Sequence, residues 1–250
     1  DPLSRFLLEM VRPGKVAILY TATPGSTEFA EILKETLTAH GIKVPVFEKF
    51  RPGTPDFSVF LLKLKEQPVD VLISGGFLAD NLLLVRQLRE QRPPVKALVA
   101  PWGAAYARFL QELGPASEGI LGLCAWHPGI TFPGTEAGSA EFVQRFRDRF
   151  GQEPNTTTMH GYAAARALLA AIEAVLAKGG ELAGPAISEE LRRLDLLLPL
   201  GRVKFNERGD PEAYEQVVVQ VQQGDLKVVF PPERATGGLI YPLALDPLRR

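Results

Sequence analysis

The chain has 250 residues, 46% of them hydrophobic and 23% charged, with a formal net charge of −1. This is a globular composition with room for one large domain or two small ones, and it gives no electrostatic reason to expect nucleic acid or an anionic membrane as a partner. The single cysteine, Cys124, excludes an internal disulfide, and no continuous apolar run reaches the ~20 residues of a bilayer span.

Strand-like apolar runs begin at Lys15 (KVAILY), Lys43 (KVPVFEKF), Val69 (VDVLIS) and Val95 (VKALVA), at intervals of 28, 26 and 26 residues. One helix-length segment with an apolar stripe separates each pair, the pattern of a parallel sheet wound by βα crossovers. The first helix is expected to be capped by Ser26 or Thr27, to bury Phe29, Ile32, Leu33 and Leu37, and to stop at Gly41. The second opens near Asp56 and carries Phe57, Phe60, Leu61 and Leu64. Asp80 caps a third, with Leu84, Val85 and Leu88, ended by Pro93-Pro94. A shorter helix carries Phe109, Leu110 and Leu113, and Gly119–His127 reads as a fifth strand.

After His127 the rhythm changes. Residues 128–138 are rich in glycine and proline and read as a crossing segment. Three helices are expected next: one with Phe142, Val143, Phe146 and Phe150, one over about Met159–Lys178 with Leu168, Leu169, Ile172, Val175 and Leu176, and a weaker one over Ser188–Leu194. None is followed by a strand able to pair in parallel beside it. Strands return at Val203–Phe205 and in a late antiparallel hairpin, Gln216–Val221 with Leu226–Phe230. Residues 139–200 thus supply helices without the sheet they should cover.

The winding brings three loops to one sheet edge: Thr21 to Ser26, Gly75-Gly76-Phe77 and Pro101-Trp102-Gly103. Glycines there let the backbone approach a ligand, helix starts offer free N–H groups, and Phe77 and Trp102 offer flat apolar walls. The candidate ligand-binding set is Thr21, Thr23, Gly25, Ser26, Gly76, Phe77, Trp102 and Gly103. Each alone also fits a plainer reading, in which Gly and Pro make tight βα turns and Trp102 caps the core. Neither GxGxxG nor GxxxxGK[ST] follows the first strand, which argues against a nucleotide. Cys124 and His127 sit three apart on an expected strand and so on opposite faces. His40, His127 and His160 lack zinc-ligand spacing. No catalytic residue, metal or cofactor is expected. Asn155-Thr156-Thr157 and Arg208-Gly209-Asp210 match short motifs common by chance.

Several stretches, in order, resemble the leucine/isoleucine/valine-type substrate-binding proteins of bacterial branched-chain amino acid ABC transporters. They are GKVAILY (14–20), FRPGTPDFSVFLLKLKEQPVDVLISGG (50–76), GPASEGILG (114–122), FVQRFRDRFGQEPNTTTMHGYAAARALLAAI (142–172), GRVKFNERGD (201–210) and PPERATG (231–237). The resemblance implies an α/β protein of the type I periplasmic-binding class, with a flavodoxin-like lobe of parallel sheet flanked by helices and a second lobe that is incomplete here. It implies no catalysis, closure on a small solute by hinge motion, and delivery to a membrane permease from a periplasmic or extracytoplasmic location. In these terms residues 1–122 and 206–250 make lobe two. Residues 123–205 make part of lobe one and the hinge crossings.

The resemblance also implies that a lobe-one segment of the family is missing ahead of Asp1, and with it the serine and threonine that hold a ligand carboxylate. The molecule is then expected to be either a fragment or one that covers these helices by self-association, as a homodimer, or by swapping elements. Relatives place a tyrosine where this chain has Gly25, and an acidic partner for the ligand ammonium where it has Trp102. The ligand expected is therefore a small apolar or aromatic acid or amide rather than a free α-amino acid. A ligand-sensing regulatory module of the same fold and a non-binding scaffold are the alternatives.

Overall fold

Strand β1, Lys15–Thr21, is buried from Val16 onward and has a parallel partner on each side, β2 (Lys43–Phe50) and β3 (Val71–Gly75). An unbroken apolar run is what such a strand requires, because helices cover both of its faces. The computed structural model describes residues 2–212 and 214–243. The chain divides into two units, residues 1–124 with 217–250 and residues 125–216. The divisions fall after Cys124 and before Val217, where the sequence put them after 122 and before 206.

In the first unit, strands β4 (Ala97–Val99) and β5 (Leu121–Cys124) continue the parallel part of the sheet. β8 (Val217–Gln222) and β9 (Asp225–Phe230) extend it antiparallel. The result is a seven-stranded sheet of order β2-β1-β3-β4-β5-β8-β9. Gln223 and Gly224 join the last two strands with φ of 56° and 76°, the left-handed pair that a two-residue hairpin turn demands. The crossovers contain α2 (Pro24–Ala39), α3 (Ser58–Glu66), α4 (Leu78–Gln91) and α5 (Ala107–Leu113). The 2-1-3-4-5 order reverses between β1 and β3, and in open sheets of this kind that is where ligands bind.

Four expectations are corrected here. Helix α2 begins at Pro24, whose fixed φ suits a first helical position, with Thr23 as N-cap. Ser26 therefore falls one turn in and shares the buried stripe with Ala30, Leu33 and Leu37, while Ile32 is exposed. Asp80 is the third residue of α4, reaching back to the N–H of Phe77 rather than standing at the cap position. Strand β5 ends at Cys124, short of His127. Finally, residues 2–11, for which no element was predicted, form a helix, α1 (Pro2–Phe6), running into a π-helical turn at Leu7–Val11. Leu3, Phe6, Leu7 and Val11 are all buried in the main core, and Phe6 meets Phe230 edge-on at 6.0 Å.

The second unit holds α6 (Glu136–Phe150), α7 (Thr156–Ala177), α8 (Gly184–Arg192) and a hairpin of β6 (Asp195–Leu198) with β7 (Gly201–Lys204). The hairpin corrects the expectation of helices without strands, although its pairing is antiparallel. Trp126, Val143 and Met159 form one core, in which Trp126 Nε1 donates to Ser139 Oγ at 2.8 Å. Ala167, Ala171 and Leu194 form another, joined by Ile187, Leu191 and Val203. The buried stripe of α7 is Met159, Ala163, Ala167, Ala171 and Val175. Leu168, Leu169 and Leu176, which the sequence counts among the apolar residues of this helix, are exposed. By length and composition α7 does reach the standard of a bilayer span, against the sequence reading. Its hydropathy comes partly from an alanine face used for packing within the unit. Asn155 caps α7 by accepting from the N–H of Thr158, a structural use for the first residue of the Asn-Thr-Thr motif.

Candidate functional site

The loops that follow β1, β3 and β4 meet at the carboxyl edge of the sheet, where rings from three elements gather. Trp102 lies 5.0 Å from Phe29 at 57° and 6.3 Å from Phe77 at 28°, the second pair close to parallel. Phe77 precedes the first turn of α4 and is 48% exposed. Trp102 is half-buried. The two rings face one another as a pair of apolar walls, open to solvent on the Phe77 side.

Beneath these walls the other candidate residues divide by burial. Thr21 and Ser26 are buried and committed to one another. The Thr21 N–H donates to Ser26 Oγ at 3.2 Å, and both hydroxyls donate to the Gly75 carbonyl, Ser26 at 2.7 Å and Thr21 at 3.2 Å. Gly76 and Gly103 are also buried, and their lack of a side chain serves packing. A Cβ on Gly76 would stand 3.0 Å from Asp80 Cβ and 3.2 Å from Phe50 Cζ. One on Gly103 would stand 3.0 Å from Asn81 Nδ2. Gly25 is exposed, and a Cβ added to it would meet no atom within 4 Å. Thr23 is half-buried, its hydroxyl 3.2 Å from that of Thr21, and it makes no capping bond to the N–H groups of α2. Those first-turn donors point out of the helix end, where an acceptor atom is favoured.

The three loops contain no acidic residue. The carboxylate nearest Phe77 in chain order, Asp80, is 4% exposed and occupied: Oδ1 accepts from the Gly53 N–H at 2.8 Å and Oδ2 from the Phe77 N–H at 3.0 Å. Its neighbour Asn81, absent from the predicted site, is buried as well. It accepts from Ser74 Oγ at 2.6 Å and donates to the Gly76 carbonyl at 2.8 Å. A signal for it was present, since Asn81 continues the helical stripe of Leu84, Val85 and Leu88, where a polar residue is out of place. Among the described residues no group of three or more His, Cys, Asp and Glu side chains comes together to hold a metal.

The second unit carries a separate open concavity of about 770 Å³, lined by Phe142, Phe146, Phe150 and Tyr162 with Arg149 and Arg166.

A model of the periplasmic binding protein family matches residues 1–225. The Leu/Ile/Val-binding protein homolog 2 of Brucella abortus is 28% identical over 221 residues, which are 88% of this chain and 57% of that protein. The leucine binding protein LivK of Thermotoga maritima superposes with a TM-score of 0.78 at 24% identity, covering 90% of this chain and 62% of that one. A solute binding protein of R. palustris in complex with benzoate superposes with a TM-score of 0.75 at 15% identity, covering 96% and 62%. The fold is thus that of the type I periplasmic binding proteins, as the resemblance implied. The chain spans a little over half the length of the curated relatives it matches.

Proposed function

The chain belongs to the periplasmic binding protein family, and on that premise we propose that it serves as the solute-binding component of an ABC importer outside the cytoplasm, holding a small planar acid or amide and handing it to a membrane permease. The observation that carries the ligand class is the near-parallel Phe77–Trp102 pair above loops without an acidic residue. A desolvated ammonium without a carboxylate costs several kcal/mol, which disfavours a free α-amino acid. A planar ring gains from stacking and edge contacts instead. Phe77 and Trp102 act as walls, while the Thr23 hydroxyl and the first-turn N–H groups at Gly25 and Ser26 meet the ligand's oxygen. Thr21, Gly76, Gly103 and the Ser26 side chain hold the frame. The proposed activity is binding, in keeping with the family to which the chain belongs. The first unit takes the part of lobe two and the second that of an incomplete lobe one.

Isothermal titration with benzoate, benzamide and L-leucine tests this. Benzoate or benzamide should bind at least tenfold more tightly than L-leucine, and Trp102→Ala should lose about tenfold in affinity, the equivalent of ~1.4 kcal/mol. Tighter binding of L-leucine than of either aromatic would overturn the ligand class.

The proposed partner of the exposed α7 face is a second copy of the chain. Leu169 and Leu176 lie on one line of this face, flanked by Leu168 and Ile172, with Arg166 and Glu173 along a single edge at about 100° per residue. Among the described residues neither Arg166 nor Glu173 has an ion-pair partner. Their positions are symmetric about Leu169–Ala170, so a two-fold antiparallel pairing sets each Arg166 against the other copy's Glu173. Sedimentation velocity should find a dimer that Arg166→Glu weakens and that the double exchange Arg166→Glu with Glu173→Arg restores. A monomer at all concentrations would refute the pairing.

A further inference from the structure

We infer that Asn81 is a positioning residue that sets the spacing of the two aromatic loops, and through it the thickness of solute the site accepts. This rests on the solute site proposed above.

Asn81 is 1% exposed and lies between those loops. Toward one, its Nδ2 donates to the carbonyl of Gly76, the residue before Phe77. Toward the other, its side chain backs onto Gly103, the residue after Trp102. A Cβ there would stand 3.0 Å from Nδ2 and 3.2 Å from Asn81 Cβ, so the Asn81 side chain occupies the space that a side chain at position 103 would need. The amide cannot turn over freely, because Ser74 Oγ on β3 donates to its oxygen at 2.6 Å. Only a residue with both an acceptor and a donor on one short rigid plane satisfies strand and loop together. Asp80 completes the arrangement by tying the Phe77 N–H to the turn at Gly53.

A buried network with every member bonded is stiff. Here the stiffness is delivered one residue from each ring of the proposed wall. The ring centroids stand 6.3 Å apart with their planes inclined at 28°, so a planar ligand, which needs ~7 Å to stack between two rings at ordinary carbon contact distances, enters only if the walls part. A small outward yield of the exposed Phe77 admits a flat ring, and a larger one is needed for a puckered ring. Asn81 holds the frame against the larger yield.

The test compares affinities for benzoate and cyclohexanecarboxylate, which share a charge and differ in ring thickness, in wild type, Ser74→Ala and Asn81→Ala. Affinities are measured in these proteins as they stand, and quenching in a parallel set that also carries Trp126→Phe, so that emission reports Trp102 alone. Ser74→Ala is the gentler change, leaving the amide in place but free to turn, and it decides the matter if Asn81→Ala does not fold. The benzoate-to-cyclohexanecarboxylate affinity ratio is expected to fall at least fivefold in the variants, with stronger acrylamide quenching of Trp102 in the absence of ligand. A purely structural role would lower both affinities and leave the ratio unchanged, and that result overturns the inference. If wild type binds neither acid, the solute-site reading fails, and quenching alone judges the clamp: an increase supports it and no change overturns it.

Discussion

Ser26→Ala should destabilise the first unit while leaving its surface unaltered, because the Ser26 hydroxyl is a strut between β1 and β3. It is 3% exposed, accepts from the Thr21 N–H and donates to the Gly75 carbonyl. After substitution the Gly75 carbonyl keeps the Thr21 hydroxyl at 3.2 Å. The Thr21 N–H loses this acceptor in a place water does not reach. Stripping a buried donor costs about 1–3 kcal/mol, and the exchange removes no methyl group, so no sizeable cavity adds to it. A loss of about 2 kcal/mol at a urea dependence of about 2 kcal/mol per molar lowers the denaturation midpoint by about 1 M. Urea unfolding followed by circular dichroism measures this directly. A midpoint within about 0.2 M of wild type, equivalent to under ~0.5 kcal/mol, would sink the argument that Ser26 is framework.

Asp70 gives a pH-dependent counterpart. Burial pushes its carboxyl up, but hydrogen bonds from the Lys96 ammonium and from the Lys15 and Gly14 N–H groups outweigh this and hold it below the ordinary carboxylate range. A depressed folded value means the stabilisation is complete above the unfolded value near ~4 and fades as pH falls through the folded one. Asp70→Asn should therefore cost about 1–2 kcal/mol at neutral pH, with the difference from wild type shrinking in acid melts below about pH 4. Phe6→Ala should cost about 3–5 kcal/mol by calorimetry or denaturation, since the ring is fully buried against Phe230. Ser139→Ala should strand the buried Trp126 Nε1–H, lower stability by about 1–2 kcal/mol and alter Trp126 emission.

The strand spacing made the parallel sheet legible, because a βαβ unit has a length set by geometry and β1–β3 carry apolar runs that no amphipathic helix would. The meeting of the Phe77 and Trp102 loops was legible for the same reason, since loops at the carboxyl ends of neighbouring strands are neighbours. What escaped was tertiary. Ser26 reads as a cap because serine favours caps, and only Pro24 at the helix start moves it inward. The leucines of α7 stand out in the sequence because leucine outranks alanine in hydropathy, yet it is the alanines that let α8 and the β6–β7 hairpin approach closely. Asn81 was invisible as a bond-maker because its partners, Ser74 and Gly76, become meaningful only when the loop curls back over the helix start. The short β6 was hidden because Asp195–Leu198 alternates too briefly to be told from the end of a helix.

The register of β5 and β8 pairs Cys124 directly with Val217. In an antiparallel ladder, opposed residues have Cα atoms about 4.5–5.5 Å apart. The whole of residues 125–216 is therefore an insertion whose two stems are side by side in one sheet. Such a gap is short enough for a tight turn to close. The first unit's hydrogen-bond ladder consequently runs from β5 to β8 with no strand contributed by the residues between the stems. The chain thus leaves and re-enters the first unit at neighbouring strands, so that one ladder anchors both stems of residues 125–216.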